Sequence, residues 1–238
     1  RQKTAAYFTN PGIAYSLVKN LPEFNKNKKI RILEPSVGVG VFLPLLIEKY
    51  KSNKEVIIDV CDIDSNSIEI LKLLISKLCI PDNIIINYIH YDFLQWSTSI
   101  KYDMAIGNPP YKKLTKNKSL LYIYKFGCHN KETNNLFSFF IEKASRMAKY
   151  CSMIVPKSLL NAPEYNKTRH LLCTNNLIHI CDYGEKGFKG VLIETINFLV
   201  ENKSQSKNDD IFIESYSQNT FKKLKKNYIF SKNLPYWI

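Results

Sequence analysis

Apolar and polar positions along the chain follow two periods in turn, and their succession predicts an α/β fold. Ile13, Leu17 and Val18 recur at helical spacing behind Asn10 and Pro11, a suitable cap and first-turn residue. The runs Ile30 to Leu33 and Val56 to Cys61 predict strands, and Val41 to Tyr50 between them predicts a helix. Ile68, Leu71, Ile75 and Leu78 line one face of a further helix, capped by Ser65 or Ser67 and stopped by Pro81. More strands are expected at Ile84 to Ile89, Tyr102 to Ile106, Cys151 to Val155, Leu177 to Cys181 and Val191 to Val200. A helix capped by Asn134-Asn135 buries Phe137, Phe140, Ile141 and Ala144, and another is expected over Asn161 to Leu172.

The residues that close four of these strands turn the picture from fold to chemistry. After the first comes Glu34-Pro35-Ser36-Val37-Gly38-Val39-Gly40, a turn whose glycines let backbone approach a ligand. Leu43 stands where a dinucleotide fingerprint has its third glycine, which argues against a nicotinamide or flavin cofactor. Glu34 disfavours a pyrophosphate and suits a cationic group. Asp62 closes the second strand, where a carboxylate can accept both hydroxyls of a ribose. Asp92 and Phe93 close the third, one able to accept from an amine and the other to cover a flat ring. Asn108-Pro109-Pro110-Tyr111 closes the fourth. Its prolines lack N–H groups and fix φ, so the carbonyls of Asn108 and Pro109 stand as acceptors beside an aromatic face, an arrangement suited to a planar amine. The same residues also suit a rigid turn. In an open parallel sheet all four strand ends share one edge, where ligands bind.

Composition adds a partner class. With 238 residues, 45% of them hydrophobic, the chain can bury a full core. A net charge of +13 points to a polyanion, nucleic acid ahead of an anionic membrane, although a Lys-, Asn- and Ile-rich composition can raise lysine without making a basic face. Lysines interleave with Tyr122, Tyr124 and Phe126 between Lys112 and Thr133, which reads as a long loop, either gripping a nucleic-acid backbone or solvated. The six cysteines form no C-x-x-C pair, so neither a metal site nor a disulfide framework is expected. No apolar run approaches a membrane span, and a cytoplasmic location is expected. The start at Arg1 and the end at Ile238 suggest a fragment.

Together these motifs give the chain, from about Thr4 to Val200, a resemblance to S-adenosyl-L-methionine-dependent DNA adenine-N6 methyltransferases of the gamma motif order, as in restriction-modification systems. Its carriers are Thr9-Asn10-Pro11, the turn from Glu34 to Gly40 with Phe42 and Leu43, Asp62-Ile63-Asp64, Tyr91 to Leu94 and Asn108 to Tyr111; Ile154 to Ser158 and Phe188 to Val191 are similar to later segments. The resemblance implies a Rossmann-like class I methyltransferase fold, a largely parallel seven-stranded sheet with helices on both faces and an antiparallel last strand. It implies a catalytic domain over 1–200, with 201–238 a linker and the start of a target recognition domain or a C-terminal arm.

The resemblance also implies roles. Thr9, Glu34, Pro35, Ser36, Gly38 and Gly40 would hold the methionine part of the cofactor, Asp62 its ribose, Ile63 and Phe93 the two faces of its adenine, and Asp92 the adenine amino group. Asn108, bordering cofactor and base, and the Pro109 carbonyl would receive the target amine of a flipped adenine in double-stranded DNA, with Pro110 stiffening the turn. Tyr111 would stack on the base, opposite Phe198 or else Phe188. Alternatives are a methyltransferase for a protein glutamine or an RNA base amine, since glutamine methyltransferases share Asn-Pro-Pro-Tyr, or a non-catalytic DNA-binding subunit of the same fold. The recognition domain or a specificity subunit is expected to be missing, leaving DNA binding weak and unselective.

Overall fold

A computed structural model of the protein describes residues 9–185, 193–204, 210–216 and 220–225. The expectations for Phe188 to Val191 and for the C-terminal tail beyond residue 225 fall outside the described residues.

Helix α1 (Pro11–Lys19) precedes strand β1 (Lys29–Glu34), followed by α2 (Leu43–Tyr50), β2 (Glu55–Asp62), α3 (Ser65–Ile75), β3 (Ile84–His90) and β4 (Tyr102–Gly107). Next come α4 (Lys118–Phe126), α5 (Leu136–Met147), β5 (Ala148–Pro156), α6 (Asn166–Thr174), β6 (Asn175–Gly184), β7 (Thr195–Ser204), β8 (Asp210–Ser215) and β9 (Thr220–Lys225). The strands form one sheet in the order β3-β2-β1-β4-β5-β7-β6-β8-β9. Strands β1 to β5 pair in parallel, and β7 runs antiparallel to both β5 and β6. From β3 at the edge the chain returns to place β4 beside β1, so the order reverses between β1 and β4, the place where such sheets bind ligands.

Alternation along the strands builds a core on each face. Ile30 and Ile32 of β1, Val56, Ile58 and Val60 of β2, and Met104 and Ile106 of β4 pack with Leu17, Leu43, Leu46, Ile68 and Leu71 of α1 to α3. On the other face Leu33, Cys61, Ala105, Cys151, Met153 and Phe198 meet Phe137, Phe140, Ile141 and Ala144 of α5 and Leu172 of α6.

Several elements differ from expectation for local reasons. The cap of α3 is Asp64, whose carboxylate accepts from Asn66 N at 3.1 Å and from Ser67 Oγ at 3.0 Å. Helix α6 begins later than expected because Ala162, preceding a proline, is extended, with φ −68° and ψ 133°. Two short 3-10 turns fill the gap. The expected loop after Tyr111 contains α4, capped by Asn117, whose Oδ1 accepts Leu120 N at 2.9 Å. The sheet has nine strands among the described residues, not seven. Strand β7 continues past residue 200, and β8 pairs in parallel with β6, burying Ile211 completely. The described residues of 201–238, expected as a linker and the start of a recognition domain or an arm, therefore extend the sheet of the first 200 residues.

Candidate functional site

The four polar strand ends line one cleft of about 550 Å³. Its walls include Glu34 to Val39 after β1, Asp62 to Asp64 after β2, Asp92 to Leu94 after β3, and Asn108 to Pro110 after β4. Thr9 and Pro11 join them from the entry to α1.

The turn after β1 is bent by Gly38 and Gly40, with φ of 53° and 76°, a region side chains disfavour. A Cβ on Gly40 would stand 2.3 Å from Leu71 Cδ1 of α3, whereas one on Gly38 would meet nothing within 4 Å. Asp62 ties this turn to β2: its Oδ2 accepts from Gly38 N at 2.8 Å and its Oδ1 from Asp64 N at 3.0 Å.

Glu34 is 1% exposed, and its Oε2 has no hydrogen-bond partner among the described residues. Burial first, and the neighbouring Asp62 carboxylate second, hold its pKa well above the ordinary carboxylate range. An orphaned carboxylate oxygen in a cleft wall fits a cationic group, which supplies both the missing partner and the counter-charge. This wall and the acceptors around it suit a ligand such as S-adenosyl-L-methionine, with its ammonium, sulfonium and ribose hydroxyls.

Asp92 is held from three sides. Its Oδ1 accepts from Leu94 N at 3.0 Å, and its Oδ2 from Gln95 Nε2 and the Tyr124 hydroxyl, both at 2.6 Å. Phe93, almost fully buried, tilts against Phe140 at 5.1 Å between centroids, and the Lys143 ammonium lies 5.1 Å from the Phe93 centroid. Lys143 is fixed by donating to the carbonyls of Leu94 at 3.0 Å and Trp96 at 2.6 Å, and burial lowers its pKa. Ile63 is 67% exposed and lines the same cleft.

At the end of β4, Asn108 Nδ2 donates to Thr9 Oγ1 at 3.1 Å, and Ser36 Oγ donates to the Asn108 carbonyl at 3.1 Å. The entry to α1, the glycine turn and the Asn-Pro-Pro segment are thereby one hydrogen-bonded unit. Tyr111 lies outside the cleft lining, its hydroxyl donating to the Ile154 carbonyl at 2.9 Å and its ring edge-on to Phe137 at 6.1 Å.

Phe198, expected as a wall for the base, does not line the cleft. It is 0% exposed, opposite Met153 and Ile180 in the middle of the sheet, and belongs to the core against α5. A ring enclosed on that face offers no surface for stacking a base. Phe188, the other candidate, lies outside the described residues.

Tyr124, Leu136 and Phe140 line the cleft without having been expected there. For Tyr124 the available signal was Leu120, Leu121 and Tyr124 at helical spacing behind a capping Asn117, obscured by the surrounding lysines. Among the described residues no group of three or more His, Cys, Asp or Glu could hold a metal ion, and no helix is long and apolar enough to cross a membrane.

Residues 44–188 match the family model described as Eco57I restriction-modification methylase. The chain is 28% identical over 239 residues to the type II methyltransferase M.VspI of Vibrio sp. (strain 343), which covers 98% of this chain and 56% of that protein. It thus spans about half the length of that curated relative. The solved structure of the type IIG restriction endonuclease BpuSI matches with a TM-score of 0.71 at 18% identity, over 95% of this chain and 32% of that one. A class I S-adenosylmethionine-dependent methyltransferase structure from Listeria monocytogenes matches with a TM-score of 0.69 at 18% identity, over 88% of this chain and 65% of that one. At such identities the two structures speak to the fold, which is that of class I methyltransferases.

Proposed function

The chain belongs to the Eco57I restriction-modification methylase family, and on that premise we propose that it transfers a methyl group from S-adenosyl-L-methionine to the exocyclic N6 amine of an adenine in double-stranded DNA. One observation carries the reading: Glu34, Asp62, Asp92 with Phe93, and Asn108 with Pro109, from four successive strand ends, line a single cleft.

S-adenosyl-L-methionine supplies a methyl group made electrophilic by its sulfonium. Glu34 neutralises the cationic end of the cofactor, Thr9, Pro35, Ser36 and Gly38 line the wall around it, and Gly40, outside the lining, bends the turn that carries them. Asp62 accepts from the ribose hydroxyls with the lone pairs that Gly38 and Asp64 leave over, since two carboxylate oxygens offer about four. Ile63 and Phe93 cover the adenine, and Asp92 accepts from its amino group.

The lone pair of the target amine is delocalised into its ring, which makes the nitrogen a weak nucleophile. The Asn108 amide oxygen and the Pro109 carbonyl accept its two N–H groups and favour a more tetrahedral nitrogen. Thr9 engages the Asn108 Nδ2 and so fixes which end of the amide accepts. Acceptors held in advance around a nitrogen that becomes positive stabilise the transition state without taking a proton, and the surplus proton of the methylated amine passes to solvent once the methyl has left sulfur. Extruding the base costs a few kcal/mol, and stacking on Tyr111 returns about 1–3 kcal/mol. Residues 1–200 carry this chemistry, while target selection falls to a recognition domain or a separate specificity subunit.

The test is transfer of labelled methyl from the cofactor to adenine-containing DNA, followed by nucleoside analysis. N6-methyladenine is expected. Label appearing only on protein glutamine or RNA, or retained cofactor binding with no transfer to DNA, would overturn the reading.

A further inference from the structure

Helix α4 has two unlike faces. Its inner face packs Leu120, Leu121 and Tyr124 against Leu114 and Phe139, and Tyr124 reaches Asp92 in the cleft. On its outer face Tyr122, Ile123 and Phe126 are 71%, 51% and 78% exposed. Lys118, Tyr122 and Phe126 follow one another four residues apart and so form one stripe, with Lys125 beside it. From Lys112 to Lys131 the sequence holds six lysines and no acidic residue. Rings this exposed mark a contact surface, and the lysine-rich run around them, of which Lys113 pairs with Glu164 at 2.9 Å, favours a polyanion.

The segment that carries this face is anchored at both ends, and its inner-face Tyr124 lines the cleft together with Asn108 to Pro110. At its entry, Leu114 N donates to Asn134 O at 2.9 Å and Leu136 N to Lys112 O at 3.0 Å. Beyond its end, the buried Glu142 accepts from His129 N at 2.7 Å and Asn130 N at 2.8 Å.

We propose that the Tyr122–Phe126 face of α4 is a DNA-contact surface flanking the target adenine, its rings packing on bases unstacked by extrusion and its lysines holding the adjacent phosphates. The inference rests on DNA being the substrate. Aromatic faces stack on any unstacked base, and lysines pair with phosphates by charge alone, so the surface would grip DNA without reading sequence.

The test is fluorescence anisotropy of the full chain with labelled duplexes, matched or carrying a mismatched adenine, over a series of salt concentrations. Tyr122→Ala with Phe126→Ala is expected to weaken binding to the mismatched duplex at least about fivefold and to leave the salt dependence unchanged. Lys116→Gln, Lys118→Gln and Lys125→Gln combined are expected to flatten the slope of log K against log salt by about 3. Both variants should keep the wild-type melting temperature and affinity for S-adenosyl-L-homocysteine. Unchanged DNA affinity in the aromatic variant, or a loss matched by lost S-adenosyl-L-homocysteine binding or stability, overturns the inference. Wild-type chain that methylates DNA while the variants bind it normally refutes this surface alone. Wild-type chain that neither binds nor methylates DNA refutes this surface and the proposed function together.

Discussion

The amide nitrogen of Asn108 donates to the hydroxyl of Thr9 at 3.1 Å, across 99 residues of chain. A residue ahead of the first helix thus orients the side chain assigned to the target amine, and the two assignments can be separated by mutation.

Asn108→Ala should lower single-turnover methyl transfer about a hundredfold or more while leaving cofactor affinity near wild type. Thr9→Val, which keeps shape but removes the hydroxyl, should cost about fivefold to tenfold, with Thr9→Ser restoring most of it. A loss under about tenfold for Asn108→Ala sinks the acceptor role.

Glu34 carries a pH signature. Its pKa in the folded chain is raised, chiefly by burial and next by Asp62. A raised carboxyl pKa gives stability that is fully present below the unfolded value and is lost as pH rises through the folded one. Ligand-free Glu34→Gln should therefore melt higher than wild type at neutral pH, with the difference vanishing below about pH 4. In the wild type, binding of a cationic cofactor should strengthen as Glu34 ionises. Melting curves and calorimetric titrations across that range check both, and a pH-independent difference between the two proteins would remove the argument.

The two turn glycines should respond unequally. Gly38→Ala meets only the left-handed backbone penalty, about 1–2 kcal/mol. Gly40→Ala adds the 2.3 Å approach to Leu71 and should destabilise further by displacing α3 from the turn. Denaturant titration of the two variants measures the gap; equal losses would show that Leu71 moves aside freely.

Phe198→Ala should cost about 3–5 kcal/mol of stability, the range for a large-to-small change in a packed core. Its binding to DNA carrying a flipped or mismatched adenine should change only as far as the folded fraction does. A stable variant with a specific DNA-binding defect would return Phe198 to the site.

The sequence by itself determined which strand ends line the cleft. An apolar run closed by a polar residue and then Gly or Pro is a local signal, and parallel strands share a direction, so Glu34, Asp62, Asp92 and Asn108 could be set along one edge before any contact was known. Caps such as Asn10 and Asn135 were legible for the same reason, since each acts within two residues of itself. Only the tertiary structure decided what depends on distant neighbours: Thr9 on Asn108, Tyr124 on Asp92, and β8 beside β6. It also decided depth. Alternation assigns Phe198 to a face, but whether a ring on that face reaches the ligand edge or is sealed in the middle depends on the helices packed over it. Charge misled in the same way at α4, where lysines suggested a loop and the burial of Leu120, Leu121 and Tyr124 against Phe139 made a helix. Periodicity and capping are properties of a few consecutive residues, whereas burial and hydrogen-bond partnership belong to the packed whole.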